Sequence, residues 1–178
     1  MSEETPEFSY IIRRDTMGRT EWPVRISAAP DERAALAKRF GFAALDELRA
    51  EFSVEAEGDV LMATGQIYAR LAQPCIATGE PVPEEVSEDF NIRFVPEEKA
   101  EQDATADTPV EIELDADECD TLSYTDGRID MGEAIAETLA LAINPYPRSP
   151  QADNYLRESG VLTEEQAGPF AALAALKS

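Results

Sequence analysis

At 178 residues, 43% of them hydrophobic, the chain is long enough for one domain to bury about two thirds of its unfolded surface, so a core needs no covalent staples. Two cysteines, Cys75 and Cys119, are too few for a disulfide scaffold and read as free thiols. No apolar run approaches the roughly 20 residues that cross a bilayer, and the acidic start MSEETPEF lacks the features of a secretion signal, so a cytoplasmic protein with no membrane partner is expected.

The net charge of −22 is unevenly spread: residues 80–120 hold 16 acids and 2 bases, whereas residues 1–50 hold 9 acids and 8 bases. Nucleic-acid affinity is largely phosphate neutralisation by Lys and Arg, so RNA contact is not favoured. The acidity either attracts basic partners or serves solubility alone, and charge leaves both readings open.

In chain order, Phe8 to Arg14 and Glu21 to Ile26 read as short strands around Met17-Gly18-Arg19, which predicts a hairpin. Pro30 to Phe40 predicts a helix, with proline in its first turn and Gly41 as its stop. A second short helix is expected from Ala43 to Leu48. From Phe52 the period changes: Phe52, Val54 and Ala56 alternate with Glu51, Ser53 and Glu55, as in a half-buried strand. Gly58-Asp59 turns into a long strand, Val60 to Leu71, with a bulge expected at Gly65. Val86, Phe90, Ile92 and Phe94 end the series before Pro96. These three strands predict an antiparallel meander joined by the Gly-Asp turn and the Cys75 loop. Residues 96–109, PEEKAEQDATADTP, lack large apolar side chains and read as a mobile acidic loop. Val110, Ile112 and Leu114 then predict a strand returning to the sheet.

The best-bounded element lies in DGRIDMGEAIAETLALAINPYPRSP, Asp126 to Pro150. Asp130 stands at an N-cap with Glu133 three places on, so each side chain can answer the other's free amide. Met131, Ile135, Thr138, Leu139, Ala142 and Ile143 share one face, and Asn144-Pro145 ends the helix. Thr163 and Gln166 suggest a capping box before a terminal helix, Pro169 to Leu176. The class is α+β: an antiparallel sheet, open or curled toward a barrel, with helices packed on one face.

The candidate sites are sparse. With no histidine, no glycine-rich phosphate loop and no HExxH or CxxC pattern, the sequence offers no enzyme site and no cofactor or zinc set. Cys75 reads as a small apolar residue beneath a turn. Asp115, Asp117, Glu118 and Asp120 begin like a calcium loop, but Cys119 breaks the pattern, leaving a solvated acidic turn that a basic partner could engage. Arg13, Arg14, Arg19 and Arg25 make the one basic patch, with Arg13 and Arg25 placed on one face of the hairpin. They touch RNA or a carboxylate, or they pair with the protein's own acids.

Asp126 to Pro150 resembles the equivalent block of the YceD family, the bacterial large ribosomal RNA subunit accumulation proteins. GPFAALAALKS, Gly168 to Ser178, looks like the short Pro-Phe helix that closes many members, and QPCIATGEPV, Gln73 to Val82, resembles their cysteine-bearing turn. Many relatives carry a second cysteine at the position of Thr78 and some add more after the helix, so this chain is similar to a cysteine-poor variant. The resemblance runs from about Trp22 onward. It implies one YceD-like domain over residues 1–178 and a non-enzymatic role in accumulating or processing large-subunit ribosomal RNA. The family gene often neighbours that of a small basic ribosomal protein. The implied partner is therefore a basic ribosomal protein or a large-subunit assembly particle, engaged through the acidic face and residues 96–120. The alternative is a direct RNA-binding module using the four arginines. A metal-dependent RNA enzyme is the third reading.

Overall fold

A computed structural model describes residues 6–98 and 120–161. Strands β3 (Ala44–Glu57), β4 (Val60–Pro74) and β5 (Pro81–Pro96) form the expected meander, each antiparallel to the next. Gly58, at φ 58°, makes the first turn, a backbone state that costs glycine little. Phe52 and Val54 of β3, Leu61 and Ile67 of β4, and Phe90 and Ile92 of β5 all face one core.

Four expectations need correction. No helix spans Ala43 to Leu48; β3 already begins at Ala44. The register shifts between Leu45 and Glu47, and the extra residue returns Leu48 to the buried face three positions after Leu45. A bulge therefore imitates helical spacing. Gly65, by contrast, carries no bulge, because its register with Phe52 is unbroken. It marks a close approach of two backbones instead.

The N-terminal strands do not pair with each other. β1 (Ile11–Arg13) pairs with β7 (Arg128–Asp130) in a separate two-stranded sheet, Ile12 opposite Ile129. β2 (Val24–Ser27) pairs with β3, Val24 opposite Phe52. A 3₁₀ helix over Arg14–Arg19 separates them and buries Met17, so the predicted turn is itself part of the core.

The fourth correction concerns the sheet. β6 (Asp120–Tyr124) runs parallel to β5, from Ile92 opposite Asp120 to Pro96 opposite Tyr124. The connection over residues 97–119 is long enough for such a crossover. The five-stranded sheet, ordered β2-β3-β4-β5-β6, is therefore mixed and open, with no closed barrel among the described residues. Asp126 and Gly127, both at positive φ, make the tight turn from β6 to β7, where the Arg128 N–H donates to Thr125.

Helix α1 (Pro30–Phe40) matches its prediction, ending at left-handed Gly41 and packing on β3 with Leu36 fully buried. Helix α2 (Met131–Ala142) packs across β4, β5 and β1, burying Met131, Ile135 and Leu139. Asp130 caps it, accepting from Gly132 N at 3.0 Å and Glu133 N at 3.2 Å. Glu133 serves elsewhere: its two oxygens take a bidentate fork from Arg39 of α1 at 2.7 and 2.9 Å, while Glu7 takes the same guanidinium at 3.0 Å. This network ties the N-terminal segment to both helices. At the exit of α2, Gln73 donates to Glu84 (2.7 Å) and to the Asn144 carbonyl (2.8 Å), and Asn144 N donates back to Glu84. A further short helix, α3 (Ala152–Glu158), follows the proline-marked exit. The predicted strand at Val110–Leu114, the terminal helix, and the acidic loop beyond residue 98 lie outside the described residues.

Candidate functional site

Alternation along the meander places polar side chains on the face opposite the core. They line a trough of about 1020 Å³. Register builds rows across it: Arg25, Glu51, Gln66 and Asp89 stand opposite one another on β2 to β5, and Ser27, Arg49, Tyr68 and Ser87 form the next row. Arg25 pairs with Glu51. Gln66 donates to Asp89 at 3.0 Å. Arg49 lies 4.3 Å over the Tyr68 ring and pairs with Glu47 at 2.9 Å, which Arg70 also reaches at 3.7 Å. The guanidinium groups of this face are thus matched by carboxylates beside them.

The four N-terminal arginines fall on different elements. Arg13 lies on β1 and forks onto Asp15 with two 3.1 Å contacts. Arg14 opens the 3₁₀ helix and reaches the Gly58 carbonyl at 2.5 Å and Asp59 at 3.3 Å. Arg19 closes that helix, exposed, and Arg25 lies on β2 within the trough. Arg13 and Arg25 therefore sit on separate sheets, not on one hairpin face. Among the predicted acids, Asp120 is exposed at the start of β6; Asp115, Asp117 and Glu118 lie outside the described residues. The acids Glu84, Glu85, Glu88 and Asp89 on β5 are not among the residues that the sequence singles out, although the alternation of Glu85 and Asp89 with Val86 and Phe90 is visible in it.

Cys75 begins the turn between β4 and β5 and is 3% exposed. It is not an apolar plug. Its sulfur accepts the Ser149 N–H at 3.2 Å, and its carbonyl accepts Gly79 N at 2.9 Å. The neighbouring segment is stitched to the same turn by Ile76 N donating to the Pro147 carbonyl and by a 3.4 Å contact between the Thr78 and Ser149 hydroxyls. The Ser149 amide, then the Thr78 hydroxyl and the amides of Thr78 and Ala77, favour the thiolate and lower the Cys75 pKa from 9.0 to about 6. A depressed acid pKa stabilises the fold fully above the unfolded value and loses that contribution as pH falls through the folded value. Stability should therefore rise from pH 6 to 9, more steeply in the wild type than in Cys75→Ala, as read by denaturant midpoints across that window. Parallel slopes in the two proteins would show that the sulfur is held as a neutral thiol.

Among the described residues no helix is long and apolar enough to cross a membrane. The family model described as large ribosomal RNA subunit accumulation protein YceD matches residues 63–177. That span starts within β4 and takes in the Cys75 turn, β5, the acidic segment, β6, β7, α2 and α3. No curated protein and no solved structure matches the chain.

Proposed function

The chain belongs to the YceD family, and from that premise we propose that it is a non-enzymatic cytoplasmic factor of large ribosomal subunit biogenesis. In this reading it supports accumulation or processing of large-subunit ribosomal RNA by holding a basic ribosomal protein or an assembly particle. The family match carries the biological process. The net charge of −22, concentrated in residues 80–120, supports a basic protein partner over bare RNA. The pairing of Arg13, Arg14 and Arg25 with the chain's own Asp15, Asp59 and Glu51 supports the same choice, because a guanidinium held by a carboxylate is a poorer phosphate ligand.

Depletion of the protein should remove mature large subunits selectively on a sucrose gradient, with precursor large-subunit RNA accumulating. An unchanged profile would overturn the role. Replacing Arg13, Arg14, Arg19 and Arg25 by Glu should leave capture of a basic partner intact; loss of RNA affinity together with the cellular phenotype would favour direct RNA binding instead.

A further inference from the structure

Strand β5 is 16 residues long, and among the described residues β6 covers only its last part, Ile92 to Pro96. Among the described residues nothing pairs with the same edge from Pro81 to Asn91. The register decides which backbone groups that edge presents. Cys75 N donates to the Glu80 carbonyl at 2.8 Å, so the next pair, Pro74 opposite Pro81, is a non-hydrogen-bonded one, and such pairs recur at alternate positions along the ladder. Their N–H and C=O groups point away from β4. Pro81 and Pro83 occupy two of these outward positions, as proline at a strand edge requires. Beyond them Glu85, Ser87, Asp89 and Asn91 turn their amides outward, and all four residues are exposed.

We propose that this edge is the docking site for an extended Lys- and Arg-rich segment of a protein partner, added as a further strand beside β5. The row of outward donors and acceptors selects an extended chain, since only a strand matches their spacing. Charge selects its composition. Glu84, Glu85, Glu88 and Asp89 fall within six residues, and facing cross-strand pairs favour opposite charges. Residues 110–118 of this chain, VEIELDADE, would bring five more acids to the edge, and an RNA strand would bring phosphates. The inference rests on the biogenesis role and names the surface and conformation through which its basic partner is held.

The test titrates full-length protein with a fluorescent 12-residue peptide alternating Lys and Val. A second peptide of the same sequence is N-methylated at its four central residues, which blocks both of its hydrogen-bonding edges without changing charge. The unmodified peptide should bind and slow hydrogen exchange at Glu85, Ser87, Asp89 and Asn91. The methylated one should bind at least about tenfold more weakly, the loss of two or three backbone hydrogen bonds. Glu85→Lys with Asp89→Lys should abolish binding while leaving the denaturation midpoint in place. Equal affinity for both peptides would reduce the effect to general attraction by a polyanion and overturn the proposal. So would edge amides already protected in the free protein. A normal ribosome profile on depletion would defeat the biogenesis role whatever the peptides do; an altered profile with indifference to N-methylation would defeat the edge alone.

Discussion

Gly65→Ala should lower stability by about 3 kcal/mol, near the upper end for forcing atoms into a packed site. A Cβ at that position would lie 2.3 Å from the Glu51 carbonyl oxygen and 2.6 Å from the Cβ of Phe52. Neither is the free end of a flexible side chain. Relief requires β3 and β4 to part, yet Phe52 is 1% exposed and is held on its other side by Val24 of β2. Parting the strands also breaks the row through Arg25, Glu51, Gln66 and Asp89, since Glu51 and Gln66 are the adjacent register pair. The measurement is the denaturant midpoint with its slope, which should shift with little change in the slope. Gly18→Ala is the control: a Cβ there meets nothing within 4 Å, so the effect should stay within about 0.5 kcal/mol. If the two substitutions cost the same, the close approach at Gly65 is not what that glycine serves.

What the sequence made legible is what local periodicity encodes. The meander was readable because Phe52, Val54, Phe90 and Ile92 alternate, and α2 because Asp130 caps a continuous apolar face. Leu45 and Leu48 misled because a bulge and a helical turn both repeat after three residues. The partners of β1 and β2 were hidden for a different reason. Ile12 meets Ile129, more than a hundred residues later, and nothing local to Phe8–Arg14 distinguishes that pairing from a hairpin. The Asp126-Gly127 turn is itself a hairpin signal, and it is what brings β7 back to receive β1. The parallel placement of β6 followed from no local pattern; only the length of the connection permitted it. The arginines were visible as a cluster in sequence, but adjacency along the chain did not survive folding onto two sheets and a 3₁₀ helix. Cys75 looked apolar because its partner, the Ser149 amide, lies 74 residues away.

Asp130→Ala should cost about 3 kcal/mol, more than a helix cap alone, because this carboxylate joins two parts of the fold. One oxygen caps α2 through Gly132 N and Glu133 N and also accepts Tyr10 N at 2.9 Å; the other accepts the Ser9 hydroxyl at 2.6 Å. Met131 N donates to the Tyr10 carbonyl at 2.9 Å, so the N-terminal segment crosses directly over the start of the helix. Gly132 exists to allow that crossing: a Cβ there would stand 2.7 Å from the Phe8 carbonyl oxygen and from the Ser9 Cα. Removal of the carboxylate should therefore both fray the first turn of α2 and speed hydrogen exchange over residues 9–13. Asp130→Asn keeps an acceptor for the amides and should cost much less, since asparagine caps nearly as well. Ser9 and Tyr10 lie before the family-matched span of 63–177, whereas Asp130 lies within it, so one family-region side chain fixes a segment outside that region. If Asp130→Ala loses only about 1 kcal/mol and exchange at residues 9–13 is unchanged, the buried Phe8 and Ile12 hold that segment without it, and the carboxylate is a helix cap alone.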